Sequence, residues 1–128
     1  MGATYINTDL IIEARFSLGP LAKAFRATGL VQLGDITETD GVWRVAFETD
    51  GVDEPQDRCL NRLVTAAESL KGPHRTAWDT CLTRHFDAGY VGNSDNFYES
   101  WKIEASILSR IASLNGDLVT TIYRESEE

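Results

Sequence analysis

Positive charge is scarce in this chain. Its 12 lysines and arginines face 20 aspartates and glutamates, for a formal net charge of −8 and an isoelectric point near 4.7. A surface that grips nucleic-acid phosphates needs a basic patch that outweighs such a field, and no segment supplies one. The same field disfavours an anionic membrane surface. Long apolar runs are also missing, since none approaches the roughly 20 residues that span a bilayer. The opening MGATYINTDLIIEARF has no basic n-region, and its apolar run is too short for a secretory h-region. Gly2 lacks the downstream Ser or Thr of a myristoylation signal. Only two cysteines are present and they form no C-x-x-C pair, so free thiols in a reducing cytoplasm are expected.

What is present describes one ordinary domain. A chain of 128 residues with 42% apolar side chains buries roughly two thirds of its unfolded surface, enough for one core. The organising stretch is an amphipathic helix expected over about 55–71. Cys59, Leu60, Leu63, Val64, Ala67 and Leu70 form its stripe, Asp53 is the expected N-cap, and Gly72-Pro73 stops it. Ahead of it, Tyr5 to Phe16 alternates as a strand, with Leu10, Ile12, Ala14 and Phe16 on one face and Ile11, Glu13 and Arg15 on the other. A short helix from Pro20 to about Thr28 follows, then a strand from Leu30 to Thr37 weakened by Gly34. Thr39-Asp40-Gly41 is a hairpin turn leading into Val42–Glu48, whose Trp43, Val45 and Phe47 share a face.

Behind the central helix, His74 to Leu82 suits one or two helical turns. Thr83 to Val91 reads as a strand, with Arg84, Phe86, Ala88 and Tyr90 on one side. A loop over 92–96 precedes an expected strand, Phe97 to Lys102. The helix Glu104–Leu114, with Ile107, Leu108, Ile111 and Leu114 inward, is ended by Asn115-Gly116. Leu118 to Tyr123 is the last strand, and from about residue 124 an acidic tail is expected to fray. The predicted class is α+β: a single domain, 1–128, with a mostly antiparallel sheet, helices packed on one face and the order β-α-β-β-α-β-β-α-β. Trp78, Tyr90, Tyr98 and Trp101 are expected to fill the core rather than line a pocket.

Four stretches, GVWRVAF, RCLNRLVTAAESL, RHFDAGY and ILSRIASLNGDLVTTIY, carry a resemblance to an uncharacterised bacterial family of the domain-of-unknown-function 4279 type. The likeness runs from Leu30 to Tyr123 and consists of an amphipathic helix that feeds a closing strand ending in Tyr. The N-terminal third departs from the pattern, having no clear Pro-containing turn after its first helix. The resemblance implies a fold and offers no catalytic residues to carry over.

Catalytic patterns are incomplete. Cys59, His74, Cys81 and His85 are the residue types zinc prefers, but Cys59 sits on an apolar stripe where a thiol packs as a small hydrophobe. Ser94-Asp95-Asn96 matches one β-lactamase element without its S-x-x-K partner, and no G-x-S-x-G elbow exists. Gly89-Tyr90-Val91-Gly92 is too short for a phosphate loop, and Asp50-Gly51-Val52-Asp53-Glu54 lacks calcium-loop spacing. No cofactor is implied.

The largest signal is acidic: Asp35, Glu38, Asp40, Glu48, Asp50, Asp53, Glu54 and Asp57 crowd one segment in which Arg44 is the lone base. Asp53, Glu54 and Asp57 also suit the positive end of the helix dipole. Arg58, Arg62, Lys71, Arg75 and Arg84 follow, so the chain is either electrically bipolar or neutralised within itself. The expected function is a non-catalytic protein-binding domain. Its most concrete form is an immunity-type inhibitor, of the toxin–antitoxin kind, that covers a basic toxin such as a nuclease with this acidic face. The alternatives are a small metal-dependent or His-based enzyme using His74, His85 and Cys81, and a structural or regulatory module that oligomerises through aromatic strands.

Overall fold

The computed structural model describes residues 4–51, 54–92 and 100–124. It is a single α+β unit in which strands run β1 (Thr4–Ala14), β2 (Val31–Gln32), β3 (Thr37–Thr39), β4 (Val42–Glu48), β5 (Thr83–Gly92) and β6 (Asp117–Arg124). The helices are α1 (Gly19–Ala27), α2 (Gln56–Glu68), α3 (Pro73–Asp79) and α4 (Ala105–Ser113). The sheet order is β2-β4-β1-β5-β6, with β3 also paired to β4. Every pairing is antiparallel except β5–β6, which is parallel and crosses over through α4.

Alternation decides which face is covered. Leu10, Ile12 and Ala14 of β1, Val45 and Phe47 of β4, and Phe86 of β5 point into one core. Onto that face pack Leu21, Ala22 and Phe25 of α1, Leu60, Leu63, Val64 and Ala67 of α2, Trp78 of α3, and Ile107 and Ile111 of α4. Trp78 is fully buried at the centre, edge-on to Phe25, tilted against Phe86, and donating its indole N–H to the Leu114 carbonyl at 2.9 Å. Tyr90 is buried with the half-buried Trp101 ring 4.4 Å away, whereas Tyr98 lies outside the described residues.

Several boundaries differ from the sequence reading. The expected strand Leu30–Thr37 is broken into β2 and β3, because Gly34 takes φ 74° and turns the chain. The expected strand Phe97–Lys102 is not found where it can be checked. Ser100–Lys102 are irregular, and Phe97–Glu99 lie outside the described residues, as do the 93–96 part of the loop and the tail beyond 124. The described order is thus β-α-β-β-β-α-α-β-α-β. Helix α2 begins at Gln56 with Pro55 as its N-cap, and it closes at Glu68 with Ser69 as C-cap, short of Lys71. Asp53 lies outside the described residues. Leu108 is 42% exposed rather than inward, because Ile107, Ile111 and Leu114 already define the buried stripe and Leu108 sits about 100° around from Ile107.

The hairpin forms as the turn chemistry demands: Asp40 at φ 53° and Gly41 at φ 82° join Thr39 to its partner Val42. After α4, Asn115 turns left-handed at φ 57°. Gly116 then lies so close to the core that a Cβ there would meet the Phe86 ring at 2.7 Å. Gly116→Ala is therefore expected to destabilise the fold by about 1–3 kcal/mol through overpacking, measured by denaturant unfolding.

Candidate docking face

The face opposite the helices carries the odd-numbered residues of β1 from Asn7 on, a bulge between Tyr5 and Asn7 having put Tyr5 beside Tyr90 on the covered face. The register brings Asp9 opposite Asp87 on β5, with Glu48 of β4 one step beyond the Leu10–Phe47 pair on its other side. A row of three carboxylates, Glu48–Asp9–Asp87, thus crosses three strands. The outer two have hydrogen-bond donors: Asn7 Nδ2 reaches Glu48 Oε2 at 3.2 Å, and Thr121 Oγ1 reaches Asp87 Oδ1 at 2.7 Å. Asp9 Oδ1 is buried and has no partner among the described residues.

Burial above all, and then repulsion from Glu48 and Asp87, pushes the Asp9 carboxyl up to about 6 against the pull of Arg44. The sign of the consequence follows. The native chain holds this proton more tightly than the unfolded chain does, so stability falls as pH rises from the ordinary carboxylate range through about 6. Asp9→Asn keeps the shape and removes the charge. It is expected to raise stability at neutral pH, with solvent screening at this partly exposed site holding the gain to about 1 kcal/mol. Unfolding curves at roughly pH 5 and pH 7 check this, because the variant should lose the difference between the two.

The eight acidic residues singled out in the sequence are not brought together. Asp35, Glu38 and Asp40 are exposed at the β3–β4 edge, where Glu38 Oε2 accepts the Gly41 N–H at 2.7 Å and so braces the turn. Glu48 belongs to the sheet row. Asp50 and Glu54 are held by one guanidinium, with Arg62 Nη2 at 2.6 Å from Asp50 Oδ1 and Nη1 at 3.0 Å from Glu54 Oε1. The hydrogen bond from Arg62 holds the Asp50 carboxyl below its usual range. The Thr49 hydroxyl does the same for Glu54, with Arg62 assisting and burial opposing. Asp57 is exposed in the first turn of α2 and accepts the Arg58 N–H, while Asp53 lies outside the described residues.

The cations behind the central helix are largely spoken for. Arg62 neutralises Asp50 and Glu54, and Arg75 pairs with Asp79. Arg84 donates to the backbone carbonyls of Trp78, Cys81 and Asn115, which fastens the α3–β5 and α4–β6 loops to each other. Internal neutralisation thus accounts for Arg62 and Arg75, whereas Arg84 is engaged by backbone carbonyls.

The enzyme-type constellation is dispersed. Cys81 is buried, its thiol donates to the Ala77 carbonyl, and burial pushes its pKa up to about 11, opposite to what a reactive thiolate needs. His85 lies on the other face, 3.6 Å from Asp117, and His74 is exposed on α3. Cys59 is buried on the α2 stripe beside Thr49. Among the described residues no three His, Cys, Asp or Glu side chains are grouped to hold a metal ion, and no helix is long and apolar enough to cross a membrane. A cavity of about 350 Å³ opens between the end of α1 and α2, lined by Thr28, Leu30, Asn61, Arg62, Thr65, Ala66 and Ser69. It holds no acid or general base, and Arg110 already binds its Asn61 and Thr65.

Asp9 and Asp87 escaped the sequence reading because neither belongs to a dense acidic run: β1 holds only Asp9 and Glu13, and β5 only Asp87. The available signal was their parity: both fall on the face opposite the apolar side chains. Comparisons with family models, with curated proteins and with solved structures found no match.

Proposed function

We propose that this chain is a non-catalytic binding domain whose acidic surface docks a basic protein. In its most concrete form it is an immunity-type inhibitor that covers the substrate groove of a cationic toxin such as a nuclease. The observation that carries the reading is Asp9. A carboxylate placed between two others with an oxygen left unsatisfied works against folding, so its use lies in a partner. An arriving Lys or Arg would relieve the repulsion along the row. The outer sheet face then forms the docking surface, while Glu38 and Asp40 lie at the other end of β4, beside Trp43 and Val42 rather than Glu48. A cytoplasmic setting suits the two free thiols. The likeness to the domain-of-unknown-function family is compatible with this role, since it brings no catalytic residues with it.

Capture from the native host tests the reading. The wild-type chain should retain a basic protein that high salt releases, and a variant carrying Asp9→Asn, Glu48→Gln and Asp87→Asn should not. Equal capture by both, or retention only of acidic proteins, contradicts it. Arg62→Gln separates the two acidic regions: release of Asp50 and Glu54 should change the association rate by less than about twofold if the sheet face is the site. A larger increase would move the site to the start of α2.

A further inference from the structure

We infer that the cavity between α1 and α2 binds a neutral hydroxylated ring, a single sugar unit. Its volume of about 350 Å³ falls in the range of pre-formed small-molecule sites and is wide enough for one ring. Asn61, Arg62, Thr65, Ala66 and Ser69 recur at three- and four-residue steps, so they line one face of α2 over about 12 Å. Thr28, the C-cap of α1, and Leu30 close the cavity from across. Leu30 and Ala66 are buried and give it an apolar floor, on which the C–H groups of a ring can rest.

Hydrogen bonds already made decide what the rim still offers. The Thr28 and Ser69 hydroxyls give their protons to the carbonyls of Phe25 and Ala66, each at 2.6 Å, which leaves them as acceptors. Asn61 Oδ1 and Thr65 Oγ1 accept from Arg110 at 2.7 and 3.1 Å, which leaves the Asn61 amide N–H groups and the Thr65 O–H as donors. Thr65 and Ser69 are about one helical turn apart, so a donor and an acceptor stand about 6 Å from each other along α2. Neighbouring hydroxyls on a ring meet both needs, because each one donates and accepts. Charge selects against ionic ligands. Arg62 is neutralised by Asp50 and Glu54, and Arg110 by Glu68, so neither offers a free charge to an anion. The net charge of −8 opposes an anion further, while the two guanidinium groups beside the cavity disfavour a cation. The cavity lies on the helix side of the sheet, so this inference is independent of the docking reading.

Titration with three matched probes, followed through the amide resonances of the labelled chain, tests it. Methyl β-glucoside should give saturable shifts at Thr28–Leu30 and Asn61–Ser69, with a midpoint of about 1–10 mM. At about pH 6, glucuronate and glucosamine put an anion and a cation on the same ring, and each should bind at least about threefold more weakly. Asn61→Asp keeps the oxygen that Arg110 holds and loses the amide donor, and Thr65→Val loses the hydroxyl at an exposed position. Each should weaken binding of methyl β-glucoside by about three- to tenfold while the far-ultraviolet spectrum stays unchanged. The absence of saturable shifts at these residues overturns the inference. So does tighter binding of either charged probe, or an affinity that both variants leave unchanged.

Discussion

Neutralising Glu48, Asp9 and Asp87 together is expected to weaken binding of a basic partner by about a hundredfold, and to slow its association at low salt by about tenfold. The effect is large because the three carboxylates are adjacent and the middle one is partly desolvated, so a cation seated there is attracted through a medium less screening than water. Added salt should reduce the wild-type association rate much more than that of the triple variant. The row also makes affinity depend on pH. The free protein takes up a proton on Asp9 near 6, and a bound cation must displace it. Affinity should therefore hold above that value and decline as pH falls through it, and Asp9→Asn should flatten the profile. An affinity that is constant across this range would show that Asp9 does not meet the partner.

Trp78→Ala is expected to cost about 3–5 kcal/mol, enough to unfold most of a marginal domain. The indole is fully buried where α3, α1 and β5 meet, so its removal leaves a cavity lined by Phe25 and Phe86. It also frees the Leu114 carbonyl that accepts the indole N–H and fixes the end of α4. Trp78→Phe keeps most of the volume and loses the hydrogen bond, so it should cost about 1–2 kcal/mol through that bond and the smaller ring. Urea unfolding of the two variants separates packing from the hydrogen bond. Equal losses in both would mean that the Leu114 contact, and not the volume, dominates.

Local patterns made much of the fold legible. The alternation of Leu10, Ile12 and Ala14, the Asp40-Gly41 turn and the stripe of α2 all specify local structure through residues close in the chain, and each is found. Long-range choices were less accessible. Sequence order leaves strand partners open, and β5 meets β6 in parallel because α4 intervenes and returns the chain to the same end of the sheet. Gly34 appeared as a weakness within one strand, whereas its positive φ divides two.

The candidate site shows the same limit more sharply. Density along the chain selected Asp35 to Asp57, yet Arg62 folds back to occupy Asp50 and Glu54, which no local pattern specifies. Conversely, Asp9 and Asp87 become neighbours only through strand register, a property of pairing rather than of either strand. Glu48 is the one member of the row that both views share.

The docking account is tested most directly by titrating the isotopically labelled protein with a short arginine- and lysine-rich peptide and following its amide resonances. Shifts should concentrate at Asn7–Ile11, Ala46–Glu48 and His85–Gly89, fade at high salt, and largely disappear in the triple variant. Shifts confined to the hairpin around Asp40 or to the first turn of α2, or none at all, would contradict it.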